Sequence, residues 1–199
     1  MIFMLLENIF DFIYCKINKT RIERINTSNE EDRDIYLGNI TIDEAEKIHD
    51  IIKYYNKIDN KNNIAFSKRK PIKIYINSFG GSLEGTFIIL DAIKLSKTPI
   101  YTINIGTVQK ESLYIFMAGF IRYSYPNATF LYEKLEQKEN LTLIENIYNN
   151  QILYLKDLFL EKTRWTENDY NKHQKNSWWI TAEEAQKIYI CNEIIKDYI

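Results

Sequence analysis

The chain has 199 residues, 45% of them hydrophobic, with 26 basic and 27 acidic side chains and a formal net charge of −1. This length suffices for one domain with a substantial core, and the near-neutral charge excludes the basic footprint of a nucleic-acid-binding surface. Cys15 and Cys191 lack metal-ligand spacing and do not indicate a disulfide framework, so we expect a reducing compartment.

The N-terminal segment, residues 1–33, begins with an apolar stretch that Glu7 and Asp11 interrupt one helical turn apart. The apolar stretch is too short to span a bilayer, and it lacks the basic start and the cleavage site of a secretory signal. We interpret it as an amphipathic helix followed by a polar arm. The helix could dock on the chain's own core, on a neighbouring subunit or on a membrane surface, and the missing basic face makes the membrane the least favoured.

Strand and helix patterns alternate through the middle of the chain. Thr41 and Glu44 predict a capping box at the start of the first helix, and Pro99 predicts the end of the second. The order of strand, helix and strand predicts a parallel sheet with right-handed crossovers. We expect strands over 35–37, 72–76, 100–105 and 129–132 and helices over 42–58, 83–95 and 110–118.

The turn over residues 77–82 joins a predicted buried strand to a predicted helix and contains the adjacent glycines Gly80 and Gly81. Two glycines at such a turn allow close backbone approach and leave N–H groups pointing outward, which suits an oxyanion hole. The same pair is equally typical of an ordinary tight turn. The glycines alone leave both interpretations open.

The longest helical pattern covers residues 140–162 and predicts a rod of about 34 Å. We expect a rod of this length to project from the domain and to pack against another subunit. Thr166 and Asp169 resemble a helix start, and Thr181 with Glu184 predicts a second capping box. No internal repeat or separate domain is visible in the sequence, so we expect residues 34–199 to form one domain.

Four short motifs, in this order and at these spacings, resemble the proteolytic subunit of the Clp protease, the ClpP family. They are INSFGGS at 76–82, IG at 105–106 followed by MAG at 117–119, YPNA at 125–128, and WITAEEA at 179–185. The resemblance covers roughly residues 34–195. It implies an α/β fold, a ClpP/crotonase-like spiral of ββα units, in which the helix over 140–162 is the protruding handle.

The resemblance also implies partners. Subunits of the family form heptameric rings, usually stacked in pairs around a closed chamber, so we expect a homo- or hetero-heptameric ring with ClpP-family subunits. An AAA+ unfoldase normally feeds polypeptide substrates through the axial pore, which the N-terminal segment lines. We expect no cofactor or metal and no nucleic-acid or membrane partner. The expected location is the cytoplasm of a bacterium or a virus-infected cell, with the stroma of a plastid-type organelle as the alternative.

The family hydrolyses peptides with a Ser-His-Asp triad, and the family's spacing places other residues at all three positions. The nucleophile position, four residues after Gly106, holds Lys110, and the base position, seven residues after Pro126, holds Glu133. The position of the aspartate holds Ser177. Because a serine nucleophile needs a neighbouring base that a third group orients, the resemblance implies that the triad is lost.

Lys110 could attack a carbonyl only as a neutral amine, and a nearby carboxylate stabilises the ammonium form instead. We therefore expect Lys110 and Glu133 to form an ion pair in the former active site, with two separately solvated side chains as the alternative. Ser112 is the one rescue candidate for a nucleophile. It lies two residues further on, about 200° around a helix, so we expect it to face away from the site. Its base would be Glu133 or the distant His173.

Two further departures from the family concern the end of the chain. The glycine that follows the family's last helix is Tyr189, so we expect the C-terminal cap to be built differently. The Arg-Asp pair that supports ring-to-ring contact in the family is replaced by Asn176 and Ser177 here, so stacked double rings are expected less than single rings.

The three tryptophans, Trp165, Trp178 and Trp179, are expected in the core and at interfaces.

Three functional hypotheses follow from these residues and from the resemblance. The leading one is a catalytically inactive, ClpR-like subunit of a Clp protease ring with a structural or regulatory role. The second is an active ClpP-type serine endopeptidase that uses Ser112 in a rearranged site. The third is a ring-forming adaptor without a proteolytic role. A crotonase-type acyl-CoA enzyme shares the spiral fold, but WITAEEA and the handle favour a Clp protein.

Overall fold

The computed structural model of the protein describes residues 32–134, 143–173 and 177–197. The amphipathic helix expected near the N-terminus and the first three residues of the expected handle lie outside these ranges. The elements are β1 Asp34–Leu37, α1 Ile42–Lys61, a 3-10 turn Phe66–Lys68, β2 Ile72–Ser78, α2 Leu83–Leu95, β3 Ile100–Gln109, α3 Glu111–Ala118, β4 Ile121–Ser124, β5 Thr129–Tyr132, α4 Leu143–Lys162, α5 Glu167–His173, β6 Trp178–Thr181, α6 Ala182–Lys187 and β7 Glu193–Ile194. No helix within the described ranges is long and apolar enough to cross a membrane.

The described strands form one seven-stranded sheet in the order β1-β2-β3-β4-β7, with β5 beside β3 and β6 beside β5. All pairings are parallel except that of β5 with β6, which confirms the predicted parallel arrangement. The long strand β3 pairs with β4 through residues 101–104 and with β5 through residues 107–109. The sheet therefore divides at Gly106, and the C-terminal end of β3 pairs with β5, which in turn pairs with β6.

The core lies between this sheet and the helices α1 to α3. In β2, Ile72, Ile74 and Ile76 are completely buried while the residues between them are partly accessible, as expected for a strand with one face on the core. The apolar residues of α1 at helical spacing lie against the core: Ala45, Ile48, Ile51, Ile52 and Tyr55 are buried and Ile58 is partly buried, whereas Ile42 at the start of the helix is 40% exposed. The apolar side chains of α1, at helical spacing, and the alternating isoleucines of β2 thus belong to the same core.

Helix caps lie where the sequence predicts them. The Thr41 hydroxyl accepts a hydrogen bond from the Glu44 N–H at 3.1 Å, but the Glu44 carboxylate bonds to Lys47 instead of closing the box. Thr181 and Glu184 form the complete box, because each side chain accepts from the other's N–H. The first capping box is thus half formed and the second is confirmed.

The long helix α4 bears out the helical pattern over 140–162 within the residues that are described. Its second half is anchored, since Leu155 and Phe159 are completely buried. Other apolar side chains of the helix are open to solvent, with Ile147 55% and Leu153 45% exposed. Such exposed apolar side chains on a long helix suit a surface that packs against another chain.

The cap after α6 keeps the backbone geometry that glycine usually provides. Tyr189 has a φ of 67°, and its N–H donates to the Gln186 carbonyl at 3.2 Å. The Arg164 guanidinium lies 3.8 Å above the Tyr189 ring, and the buried Arg122 donates to the Tyr189 carbonyl at 2.9 Å. The difference from a glycine cap therefore lies in these side-chain contacts, which offset the strain of a left-handed tyrosine.

Candidate active site

The junction between β3 and α3 displays one residue in a strained conformation. Lys110 has φ 52° and ψ −123°, a backbone conformation that residues with a Cβ rarely adopt. Its N–H donates to the Leu131 carbonyl at 3.2 Å and its carbonyl accepts from the Leu113 N–H at 3.1 Å. A sharp strand-to-helix turn of this kind lifts a side chain out above the end of a sheet, as in the nucleophile elbows of hydrolases. The elbow geometry is present, but it carries a lysine.

The three residues that the motif spacing predicts at the triad positions meet in space. Lys110 Nζ lies 2.9 Å from Glu133 Oε2, and the Ser177 hydroxyl donates to Glu133 Oε1 at 3.3 Å. The antiparallel pairing of β5 with β6 sets Tyr132 opposite Trp178, which brings the next residue, Glu133, beside the preceding one, Ser177. The site is thus a continuous chain of lysine, glutamate and serine in which Glu133 is the central member.

Electrostatics keep the lysine charged. The hydrogen bond to Glu133, then the charge of Glu133, raises the pKa of Lys110, with a smaller contribution from Glu111. The side chain of Lys110 is 45% exposed and that of Glu133 is 36% exposed, so the ion pair remains in contact with solvent. Its effect on folding stability is therefore that of a surface pair, about 0.2–1 kcal/mol, rather than that of a buried one. Its chemical consequence is an ammonium group without a free lone pair.

Ser112 lies inside the fold instead of facing this chain of side chains. It is completely buried, and its hydroxyl donates to the Gln109 carbonyl at 2.6 Å, with the Ser78 carbonyl oxygen as an alternative acceptor at 3.2 Å. The same oxygen accepts from the Gln109 N–H at 2.9 Å. All of these partners are backbone groups at the ends of β2 and β3. The hydroxyl therefore fastens the elbow and is not placed beside a base.

The two histidines are held elsewhere. His49 lies on α1, 44% exposed, with Nδ1 3.3 Å from an Asp50 oxygen. His173 packs against Trp165 and Trp178, with ring centroids at 4.4 and 4.9 Å, and its Nδ1 is 2.9 Å from the Asp169 carbonyl. Neither imidazole is a hydrogen-bond partner of Ser112 in the described residues.

The glycine turn has the backbone that its sequence requires. Gly80 has φ 99° and Gly81 φ 151°, and a Cβ on Gly81 would lie 2.3 Å from the Ile40 carbonyl oxygen. The Ser82 N–H donates to Ile40 at 2.8 Å, and the Ile40 N–H donates to Gly80 at 3.2 Å. The close backbone approach to residue 40 explains Gly81, and the positive φ of Gly80 by itself favours glycine there, so neither glycine requires a ligand.

The N–H groups of the two glycines already have partners within the chain. The Gly80 N–H donates to the Ser78 hydroxyl at 3.2 Å, and the Gly81 N–H donates to Glu111 Oε2 at 3.1 Å. Sequence reasoning identified the two glycines but missed Glu111, the residue next to Lys110. Acidic residues are common in the first turn of a helix, so the only local signal was one with an ordinary explanation.

Comparison with known proteins places this geometry in context. Residues 18–198 match the model of the Clp protease family. The chain is 27% identical to the ATP-dependent Clp protease proteolytic subunit 2 of Treponema denticola over 198 residues, 91% of this chain and 95% of the relative. It is 32% identical to the protein of the same name from Pseudomonas aeruginosa over 136 residues, 63% of this chain and 66% of the relative. A solved structure of a ClpP1 mutant from Listeria monocytogenes superposes with a TM-score of 0.68 at 25% identity, covering 84% of this chain and 93% of that one.

Proposed function

The chain belongs to the Clp protease family, and from this membership we propose that it is a catalytically inactive, ClpR-like subunit that supports or regulates a Clp protease ring. Its fold is the α/β, crotonase-like fold of ClpP, in which α4 occupies the place of the handle. Active members of the family hydrolyse peptides with a serine nucleophile. The proposal concerns what this chain's own residues can still contribute to that reaction.

The observation that carries the proposal is the chain of contacts from Lys110 through Glu133 to Ser177. Peptide hydrolysis in the family begins when a base removes a proton from the nucleophile. Here the nucleophile position holds an ammonium group, which has no lone pair to donate. Glu133, at the base position, is bonded to that ammonium, so one oxygen of its carboxylate is already engaged by the lysine.

Ser177 does not restore a nucleophile and base to the site. Its hydroxyl donates to Glu133 Oε1 at 3.3 Å, but the other oxygen of that carboxylate is the one held by Lys110. A serine–carboxylate contact also lacks the third group that orients the base in a triad. We therefore assign Ser177 a role in positioning the Glu133 carboxylate.

The alternative of an active endopeptidase with Ser112 as nucleophile is disfavoured by burial. The Ser112 hydroxyl is inaccessible and bonded to backbone groups, whereas a nucleophile must reach a carbonyl carbon and contact a base. Use of Ser112 would require the ends of β2 and β3 to separate. The inactive subunit needs no such rearrangement.

We further propose that residues 1–33 form the axial segment and residues 34–199 the ring-forming domain. The ring would contain ClpP-family subunits and receive polypeptides from an AAA+ unfoldase, in the cytoplasm of a bacterium or virus-infected cell or in a plastid-type stroma. Exposed apolar side chains on α4 support a packing role for the handle. A ring-forming adaptor without a proteolytic partner is the alternative.

Two measurements test the proposal. The purified chain is incubated with a short fluorogenic peptide, and we expect a rate equal to that of buffer, unchanged in Ser112→Ala. Turnover that Ser112→Ala abolishes would overturn the proposal in favour of the active endopeptidase. In the second measurement the tagged chain is purified from its native host, and we expect an active ClpP-family subunit to copurify. Recovery of rings made of this chain alone, without protease or unfoldase, would support the adaptor.

A further inference from the structure

Glu111 joins two parts of the candidate site that are distant in sequence. It is the first residue of α3, and its Oε2 accepts a hydrogen bond from the N–H of Gly81, thirty residues earlier, at 3.1 Å. The side chain therefore reaches out of its own helix to the glycine turn. An acidic residue that only complemented the helix dipole would have no need of this contact.

The Glu111 carboxylate lies in the space beside Gly80 that a side chain would fill. A Cβ on Gly80 would lie 2.4 Å from Glu111 Oε2 and 3.0 Å from the Cβ of Lys110. Any side chain at residue 80 would thus collide with the carboxylate in its present position. The present position of the Glu111 carboxylate therefore uses the space that the missing side chain of Gly80 leaves open.

The neighbouring N–H groups of the turn have partners of their own. Gly80 donates to the Ser78 hydroxyl at 3.2 Å, and Ser82 donates to the Ile40 carbonyl at 2.8 Å. Both of these contacts are local and hold the shape of the turn. Of these three successive donors, Gly81 is the one whose partner is a charged side chain.

We propose that Glu111 is an internal occupant of the oxyanion turn, whose carboxylate oxygen takes the Gly81 N–H that a substrate carbonyl would need. This inference deepens the proposed loss of catalysis and rests on it. An oxyanion hole acts through donors placed 2.7–3.1 Å from the developing negative oxygen. At 3.1 Å, Glu111 Oε2 already stands at that distance and carries the same sign of charge as the oxygen it replaces.

The inactive site is therefore altered in two independent ways. Lys110, Glu133 and Ser177 replace the groups that form and activate the nucleophile, while Glu111 occupies the group that stabilises the charge formed on the carbonyl. The ammonium of Lys110 lies near both acids, and the charges of Glu133 and Glu111 both raise its pKa. The ion pair and the occupied turn form one local arrangement of alternating charge.

The test follows the Gly81 N–H itself. The chain contains six glycines, so selective labelling with 15N-glycine gives a simple amide spectrum of the assembled protein. In Glu111→Ala we expect the Gly81 amide proton to move upfield and to exchange with solvent about three- to tenfold faster, the loss expected for one hydrogen bond. Glu111→Gln keeps an acceptor without the charge and should give a smaller shift.

The matched control is Glu84→Ala. Glu84 is also an exposed acid in the first turn of a helix beside the glycine turn, but its carboxylate accepts from the Ser82 hydroxyl at 2.9 Å. This variant should leave the Gly81 signal in place. An unmoved Gly81 signal in both Glu111 variants, or an equal shift in Glu84→Ala, would overturn the inference. Thermal melting identifies a variant that fails to fold, and the remaining Glu111 variant then decides the question.

This experiment separates the inference from the proposed function. Peptide hydrolysis by the unchanged chain would overturn the inactive subunit and leave the amide signal unaffected. An unaltered Gly81 signal would overturn the role of Glu111 and leave the absence of hydrolysis unaffected.

Discussion

The Lys110 ammonium and the Glu133 carboxylate meet at 2.9 Å, at the positions where motif spacing predicts the nucleophile and the base of a ClpP-type triad. Both side chains are more than a third exposed, so their attraction adds little to the stability of the fold. Its main effect is on chemistry, because it keeps the lysine protonated and engages one oxygen of the Glu133 carboxylate.

Replacement of Ser112 by alanine should lower stability without changing any activity. The buried hydroxyl accepts from the Gln109 N–H and lies within hydrogen-bond distance of the Gln109 and Ser78 carbonyls, and alanine removes these contacts. We expect the free energy of unfolding to fall by about 1–3 kcal/mol, measured by urea denaturation. Ser177→Ala, at an exposed serine, is the control and should stay within about 0.5 kcal/mol. Equal effects of the two variants would contradict the structural role of Ser112.

Lys110→Gly should be more stable than Lys110→Ala by about 1 kcal/mol, although both remove the ion pair. The φ of 52° is strained for any residue with a Cβ and is accessible to glycine. The difference between the two variants isolates the backbone strain, since the Glu133 carboxylate loses its partner in both. A Lys110→Ala variant as stable as Lys110→Gly would show that the elbow is not strained.

Asp59→Ala should destabilise the fold by about 3–5 kcal/mol, because it leaves a largely buried arginine without its partner. The Arg33 guanidinium donates to both Asp59 oxygens at 2.7 and 2.8 Å, and the Thr98 hydroxyl donates at 2.7 Å. Urea denaturation at neutral pH measures the loss. Glu167→Ala, which breaks an exposed pair with Lys156, is the control and should change stability little.

The contribution of Asp59 should also depend on pH. The hydrogen bond from Arg33 holds the pKa of Asp59 below its ordinary value in the folded state, despite desolvation of the carboxyl group. The stabilisation is therefore fully present above the ordinary pKa of about 3.9 and is lost as the pH falls through the lower, folded-state pKa. The difference in unfolding free energy between the unchanged chain and Asp59→Asn should shrink below pH of about 4. A difference independent of pH would contradict this assignment.

Restoring the triad should require a fourth change. In the variant with Lys110→Ser, Glu133→His and Ser177→Asp, the nucleophile and base return to contacting positions, but Glu111 still occupies the Gly81 N–H. Addition of Glu111→Ala should raise kcat for a fluorogenic peptide by about 10²-fold, the effect of one oxyanion donor. Equal kcat values with and without Glu111 would contradict the occupied turn.

Much of the fold could be predicted because hydrophobic periodicity and capping residues are local signals. The runs in β2 and α2 and the boxes at Thr41 and Thr181 are of this kind. The short strand β4 was missed, because it contains the charged Arg122, which is buried only through bonds to the carbonyls of Tyr189 and Ile190. The strand β6 was missed because it forms only by antiparallel pairing with β5.

The ion pair of Lys110 with Glu133 was predicted from the sequence and is confirmed, whereas the contacts of Ser177 and Glu111 were not predicted. Motif spacing identified Lys110, Glu133 and Ser177, but the left-handed elbow is unusual for lysine and has no signal in the sequence. The contact between Glu111 and Gly81 spans thirty residues and depends on how the ends of β2 and β3 are placed side by side. Such relationships follow from the register of the sheet, which only the structure provides.

The most direct test of the central claim is intact-mass measurement after incubation with a fluorophosphonate probe, which forms a covalent bond with an activated serine. We predict that the mass of the chain stays unchanged, while an active ClpP-family subunit treated in parallel gains one probe. A single adduct on this chain that maps to Ser112 or Ser177, and that disappears when that serine becomes alanine, would contradict the account of an inactive subunit.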